Sequence, residues 1–298
     1  MEVLLEVSNE SIILPLCINF LQHLFSLAKL PNSHSPHEIH NVAAQIYAIS
    51  LDALVQGKDE ITAYLFNTGD PAKPWTTKTS RNDCSNDNPA RLPAGELPGF
   101  TVWPAKTAGR QLDNEAGGVQ YFASSDAGYC EDGTSTRIHV WSLINTSSLQ
   151  GPVPSLQLKN TFIDSQSYAN PPPSSQKDGP IPCGNVVFNE TEVGLVDSGD
   201  SRVLDTRFAQ NKLWVVLGTA ADVLGTQVAG VAWYIFEPRV AALNGEVAVS
   251  ADLIKEGVVA LENESVSRPA IGVTTSGKGV IAVSCVGPNR YPRCVKYC

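Results

Sequence analysis

Three widely separated stretches of the chain share one pattern, in which a short run of β-branched and aromatic residues leads into a polar turn. The stretches are residues 44–54 (AQIYAISLDAL), 138–149 (IHVWSLINTSSL) and 231–241 (VAWYIFEPRVA). Aligning Ile46, Val140 and Trp233 gives offsets of 94 and 93 residues. A nearly constant offset indicates repeated supersecondary units, and half of it, about 47 residues, falls within the size range of a β-propeller blade.

From residue 41 onward, apolar and polar residues alternate in short segments, with the period expected of a half-buried β-strand. Within segment 137–144, Ile138, Val140 and Trp141 are the candidate core positions. Because strand follows strand with little helix between, the pattern predicts an all-β fold and disfavours a parallel sheet with crossover helices. The clearest predicted strands are 99–104, 118–123, 137–144, 202–217, 230–236, 270–273 and 279–283.

Turn-forming residues punctuate these segments. Gln210 and Asn211 separate two apolar alternations, and the sequence TTSG at 274–277 separates two more, so a hairpin is predicted at each place. The Pro-rich segment 170–182 is too constrained for a central strand and is predicted to cross the surface as a connection. Segment 247–256 is the one place where a helical turn is expected.

The composition fits an all-β globular protein. The 298 residues are 43% hydrophobic and only 17% charged, which is enough for a sizeable core in one large or two ordinary domains. The 23 glycines and 20 prolines suit many tight turns. A net charge of -9 argues against nucleic acid or an anionic membrane as partner, because both repel an acidic surface. The densest basic cluster is only Arg290, Arg293 and Lys296.

Cysteine usage and glycosylation sequons both point to an oxidising, secretory compartment. The seven cysteines include no C-x-x-C pair and no histidine at zinc-finger spacing, so a structural zinc site is not expected. No motif in the chain predicts a cofactor. Cys84, Cys130 and Cys183 lie in polar loops, where a disulfide can replace a core, and are the disulfide candidates. The predicted glycosylation sites are Asn145, Asn189 and Asn263. We therefore expect an extracellular or cell-surface protein.

The first 40 residues do not share the alternating pattern. Residues 11–30 are apolar enough for a signal peptide, but no Lys or Arg precedes them; a surface helix and a start unrelated to the rest of the chain are the alternatives. Pro15, Asn19 and Gln22 make this segment a poor membrane span. Residues 31–40 follow as a linker. We therefore divide the chain into an N-terminal segment at 1–40 and one β domain at 41–298.

Several segments of the β domain carry a resemblance when they are taken as a set. The segments are 168–182 (YANPPPSSQKDGPIP), 195–219 (LVDSGDSRVLDTRFAQNKLWVVLGT), 230–234 (GVAWY) and 269–287 (PAIGVTTSGKGVIAVSCVG). Over about residues 41–292 the chain resembles secreted, largely uncharacterised β-propeller-like proteins of bacteria and fungi. The resemblance implies a propeller-like arc of about four or five antiparallel blades, incomplete at both ends because family members continue in both directions.

One constellation of charged residues could carry chemistry. The sequence DSGDSRVLDTR brings together Asp197, Asp200 and Asp205 with Arg202 and Arg207. Paired carboxylates can act as acid and base in glycoside hydrolysis, and clustered carboxylates can bind Ca²⁺. An Asp beside an Arg in a turn that enters a strand is also a common structural cap. All three interpretations remain open from the sequence.

Binding is the function that the sequence favours. Arg202, Arg207 and Trp75, which lies in a long loop, are the candidate binding residues, because an aromatic face stacks on sugar rings and guanidinium groups bond polar ligands. The chain has neither a nucleophile elbow nor a phosphate loop. We expect a binding or scaffolding protein with a carbohydrate or small-molecule ligand. The alternatives are a glycan-active hydrolase or lyase with acidic residues on the axial face, and a fragment without function.

Overall fold

The computed structural model shows an all-β protein. It describes residues 100–107, 113–126, 134–150, 155–179, 194–243 and 246–297, together with the backbone of five short strands nearer the N-terminus. The predicted boundary at residues 40 and 41 lies outside the described part. The early strands are β1 (Glu2–Val3), β2 (Leu16–Cys17), β3 (Leu24–Ala28), β4 (Ala44–Ile49) and β5 (Ala63–Asn67).

Twelve further strands form the well-described body of the protein. They are β6 (Phe100–Pro104), β7 (Lys106–Thr107), β8 (Val119–Ser125), β9 (Ser135–Ile144), β10 (Gln157–Tyr168), β11 (Val203–Ala209), β12 (Lys212–Val223), β13 (Thr226–Leu243), β14 (Glu246–Val259), β15 (Ser265–Val273), β16 (Gly279–Gly287) and β17 (Arg290–Tyr297). Two 3-10 helices, Glu115–Gly117 and Thr146–Gln150, are the only helices among the described residues.

The strands form several antiparallel sheets. We number four of them: sheet 1 (β3-β4-β5), sheet 2 (β10-β9-β8-β6), sheet 3 (β14-β13-β12-β11, with β7 beside β11) and sheet 4 (β15-β16-β17). Strands β1 and β2 make a separate pair. Among the strands that the structure describes, all pairings are antiparallel except the short parallel pairing of β7 with β11. The all-β prediction is therefore confirmed.

Sheets 2, 3 and 4 are stacked face to face around two hydrophobic cores. Between sheets 2 and 3, the inward residues of β8 and β9, such as Tyr121 and Val140, meet Leu213 and Phe236 from β12 and β13. Between sheets 3 and 4, Val216 and Val231 meet residues of β15 and β16. The alternation that is visible in the sequence thus turns successive residues of sheet 3 to opposite faces, and each face packs in one of the two cores.

The described parts of the connections from sheet 2 to sheet 3 and from sheet 3 to sheet 4 lie at one end of the stack, which we name the loop end. It is the end at which β11 and β15 begin and at which β10 and β12 finish. The Pro-rich connection crosses it: the main chain of Ala169 bonds Thr219 and Ala220 of β12, and Tyr291 of β17 donates to the carbonyl of Asp178. As predicted, described residues 169–179 contain no extended strand.

The hairpin predictions are confirmed by the backbone. Gln210 and Asn211 have φ values of 54° and 55°, so both adopt the left-handed conformation of a two-residue hairpin turn. At 274–277 the turn closes through a hydrogen bond from Gly277 N–H to the carbonyl of Thr274 at 3.0 Å. The predicted core residues Ile138, Val140 and Trp141 are all fully buried.

Three expectations differ from the structure. Segment 247–256 is part of β14 and not a helical turn, because it pairs with β13 along its whole length. Strand β13 continues through Pro238, which is possible because β12 ends its pairing opposite Phe236 and leaves that edge of β13 free. Val140 and Trp233 lie on the third strands of sheets 2 and 3, and the described residues between them form no other sheet, so their offset corresponds in this part of the chain to one sheet and not to two units of about 47 residues.

Candidate functional site

The predicted Asp–Arg cluster lies at the loop end, and its first part is an ion pair in the turn before β11. Arg202 makes a bidentate contact with Asp200, with Nε at 2.7 Å from Oδ1 and Nη2 at 2.6 Å from Oδ2. Burial disfavours the charged form of Asp200, but the hydrogen bonds and the charge of Arg202 outweigh it and lower the pKa of the carboxyl. Asp200 is therefore held as a carboxylate.

A second arginine reaches the same turn from sheet 4. Arg268 lies in a bulge of β15 and has a φ of 52°, a strained conformation for a residue that precedes proline. Its Nη2 lies 3.3 Å from Oδ2 of Asp197, which is well exposed. The guanidinium covers Gly199, where an added Cβ would lie 3.1 Å from Nη1. Arg268 also lowers the pKa of Asp200 through its charge, so the charges of two guanidinium groups stabilise this one carboxylate.

The second part of the cluster is buried between sheets 3 and 4. Asp205 on β11 accepts hydrogen bonds from the N–H groups of Thr206 and Ile271, from Nη2 of Arg207 and from Nζ of Lys106. Nε of Arg207 in turn donates to the carbonyl of Ile271 at 2.7 Å. Asp205 and Arg207 thus bond the N–H and the carbonyl of Ile271 at the free edge of β15. This gives both residues a structural role, because they join sheets 3 and 4.

The connection that crosses the loop end is fastened to the DSGDSR turn. Ser174 and Val196 exchange two main-chain hydrogen bonds, and the hydroxyls of Ser174 and Ser198 lie 2.6 Å apart in a buried position. The side chain of Asn170 accepts a hydrogen bond from the Ser201 hydroxyl at 2.8 Å. These contacts hold the turn, and with it Asp200, in a defined position.

A separate buried cluster of charged residues was not predicted from the sequence. Asp126, at the end of β8, is buried; it contacts Nε2 of His139 at 2.5 Å and Nε of Arg137 at 3.1 Å. The Tyr168 hydroxyl donates to the carbonyl of Arg137, and burial, together with the charge of Asp126, raises the pKa of this phenol. The sequence offered one indication of this cluster. Arg137 and His139 are two positions apart and therefore share one face of a predicted strand, and Asp126 follows another predicted strand.

The remaining sequence candidates are distributed as follows. Trp75, Cys84, Cys130, Cys183 and Asn189 lie outside the described residues. Asn145 is half-buried and donates from its side chain to the carbonyl of Ser155 at 2.8 Å. Asn263 is exposed in the turn between β14 and β15. In the described part of the chain, Cys285 and Cys294 are free thiols.

The geometry limits what the site can do chemically. In glycoside hydrolysis one carboxyl must hold a proton, which requires a raised pKa. The pKa of Asp200 is instead lowered, and Asp205 already accepts four hydrogen bonds in a buried position. Within the described ranges, no group of three or more metal-ligating side chains converges, and no helix has the length and apolar character needed to span a membrane.

Comparisons with known proteins identify no relative of this chain. No protein-family model, no curated protein and no solved structure matches it. The arrangement of charged residues at the loop end is therefore the observation on which a functional proposal rests.

Proposed function

We propose that this chain is an extracellular, β-propeller-like binding or scaffolding protein whose ligand occupies the loop end of the sheets. The stacking of antiparallel sheets 2, 3 and 4 supports the propeller-like architecture, because blades of a propeller pack face to face in this way. The contact of Asp205 on β11 with Ile271 on β15 brings the first strands of two successive sheets together. In a propeller the first strand of each sheet lies nearest to the central axis, so the first strands of successive sheets adjoin each other.

The observation that carries the binding proposal is that Arg202 and Arg268 lie at the same turn, where they pair with Asp200 and Asp197. Their side chains are 42% and 52% exposed, so both guanidinium groups offer hydrogen-bond donors to solvent while Asp200 pairs with Arg202 and Asp197 pairs with Arg268. A fixed, partly exposed pair of guanidinium groups suits the carboxylates and hydroxyls of an acidic sugar. We therefore propose an acidic oligosaccharide, such as one that contains uronic acid, as the ligand class.

Binding is favoured over catalysis because neither Asp200 nor Asp205 is arranged as a general acid. Asp200 is stabilised in its charged form, and the hydrogen-bonding capacity of Asp205 is taken up by the protein itself. The sequence candidates for glycosylation and disulfide formation support a secreted location, which remains part of the proposal.

Calorimetric titration of the full chain with polyuronate oligosaccharides tests the proposal. We expect saturable binding that Arg268→Gln weakens about tenfold or more, since charge-assisted hydrogen bonds of one guanidinium are lost. The matched control is Arg239→Gln, because Arg239 is also exposed and ion-paired but lies on β13 far from the loop end. Equal loss in both variants, or no binding of any acidic oligosaccharide, would contradict the proposal. Release of shorter sugars would favour the hydrolase or lyase.

A further inference from the structure

The two arginines at the DSGDSR turn are held in different ways. Arg202 makes its bidentate contact with Asp200 at 2.6 and 2.7 Å, and the Asp200 side chain is only 33% exposed. Arg268 contacts Asp197 through Nη2, which lies 3.3 Å from Oδ2 and 3.4 Å from the main-chain carbonyl oxygen. Charge-assisted hydrogen bonds between nitrogen and oxygen are ordinarily about 2.7–2.9 Å long. The Asp197–Arg268 pair is therefore the weaker of the two.

The Asp197 carboxylate can lose its arginine at little cost. Its side chain is 84% exposed, so the carboxylate stays hydrated whether or not Arg268 lies beside it. Its other oxygen, Oδ1, accepts a hydrogen bond from the N–H of Gly199 at 2.8 Å, and this bond within the turn does not involve the arginine. Separation of Arg202 from Asp200 would instead leave a half-buried carboxylate without its bidentate partner, which is far more costly.

Features other than Asp197 also keep Arg268 at the turn. Arg268 lies in the bulge of β15 with a φ of 52°, immediately before Pro269, so its main chain is set by the strand. Its guanidinium packs over Gly199, where an added Cβ would lie 3.1 Å from Nη1 and 3.2 Å from Cζ. Because neither feature involves the Asp197 carboxylate, we expect the guanidinium to stay at the turn when its carboxylate partner changes.

We propose that Asp197 is an internal competitor at the sugar site: it pairs with Arg268 in the free protein, and a carboxylate of the bound oligosaccharide takes its place. This inference rests on the proposed function and gives the two arginines different roles. Arg202 stays paired with Asp200 and is a fixed donor, whereas Arg268 exchanges one carboxylate for another. A neutral hydroxyl does not replace the charge of Asp197, so Asp197 makes the site selective for acidic sugars.

Calorimetric titration of Asp197→Asn in the full chain tests the exchange. Asparagine keeps an oxygen that accepts the Gly199 N–H but has no charge to hold Arg268. We expect the affinity for a polyuronate oligosaccharide to rise about threefold, because one exposed ion pair no longer competes, and the affinity for its carboxyl-reduced form to change less than about twofold. The matched control is Asp252→Asn, which should leave both affinities unchanged, because Asp252 is also exposed and pairs with Arg239 at 2.5 Å away from the loop end.

An Arg268→Gln background shows whether Asp197 acts through this arginine. Adding Asp197→Asn to that variant is expected to give no gain, because the arginine for which the two carboxylates compete is absent. A threefold gain in this background overturns the inference, since Asp197 would then act by general charge repulsion. An equal gain for the carboxyl-reduced sugar, or no gain for Asp197→Asn when the wild type binds the polyuronate, also overturns it. A wild-type protein that binds no acidic oligosaccharide contradicts the proposed function itself, so the two failures are distinguishable.

Discussion

The carboxylate of Asp205 on β11 accepts a hydrogen bond at 3.1 Å from the main-chain N–H of Ile271 on β15, 66 positions further along the chain. The Arg207 guanidinium bonds the carbonyl of the same residue at 2.7 Å. An open strand edge is thus satisfied by two side chains instead of by another strand. This contact joins sheets 3 and 4, and it removes two predicted site residues from the list of groups free to bind a ligand.

Asp205→Asn should therefore destabilise the protein strongly. The change leaves Arg207 and Lys106 beside a neutral group and replaces one of two acceptor oxygens by an NH2 donor, which must then face the N–H of either Ile271 or Thr206. We expect a cost of about 3 kcal/mol in the free energy of unfolding. Urea unfolding followed by tryptophan fluorescence measures the loss. Asp197→Asn is the control, because Asp197 is exposed and should change stability by less than about 0.5 kcal/mol. Similar values for the two variants would contradict the structural role.

The Asp200–Arg202 pair should make stability depend on acid pH. The folded pKa of Asp200 lies below its ordinary value of 3.8, so its contribution is fully present above that value and is lost as the pH falls through the folded pKa. We expect Asp200→Asn to be less stable than the wild type at pH 7 and to approach it near pH 2. Urea midpoints across this range measure the difference. A constant difference at all pH values would exclude this linkage.

Two glycines on sheet 3 and sheet 4 should respond in opposite ways to the addition of a methyl group. At Gly257 an added Cβ would lie 2.8 Å from the Trp233 ring, whereas at Gly272 its nearest neighbour is Val280 at 3.4 Å. Gly257→Ala should cost about 1–3 kcal/mol because the indole ring must move within a packed core. Gly272→Ala should be neutral or slightly stabilising. Thermal unfolding of both variants tests the contrast, and equal effects would mean that the Trp233 contact is not rigid.

The hairpin tip between β12 and β13 should become more stable when Leu224 is replaced. Leu224 has a φ of 54° and is 84% exposed, and Gly225 follows it with a φ of 80°. Because Asn adopts this conformation more easily, Leu224→Asn should raise the free energy of unfolding by about 1 kcal/mol. Leu195→Asn replaces another exposed leucine, which lacks a positive φ, and should have no such effect. A gain in both variants would point to general surface polarity instead of turn strain.

The glycosylation candidates should differ in occupancy in a secreting eukaryotic host. Asn263 is exposed, so we expect a glycan there. The Asn145 side chain donates to Ser155, and its Oδ1 packs closely against Gly117. We therefore expect Asn145 to stay unmodified in the folded protein. Mass spectrometry of glycosidase-treated peptides checks both sites, and a fully occupied Asn145 would contradict the described packing.

Local physical chemistry determined much of this protein from its sequence alone. The alternation of apolar and polar residues predicted the strands, because a β-strand turns successive side chains to opposite faces regardless of what it meets. The Gln210–Asn211 and 274–277 hairpins followed from turn residues that act over a few positions. The 247–256 segment was the exception, since its strand conformation is imposed by pairing with β13.

Only the tertiary structure decided which charged residues meet. Asp205 and Ile271, and likewise Asp197 and Arg268, are brought together by the stacking of sheets 3 and 4. The Asp126–His139 contact depends on how β8 pairs with β9. Long-range contacts of this kind depend on sheet order and register, which no local pattern encodes. For the same reason, the sequence could group Asp197, Asp200 and Asp205 together, whereas the fold places Asp205 inside the structure and leaves Asp197 and Asp200 at the loop end.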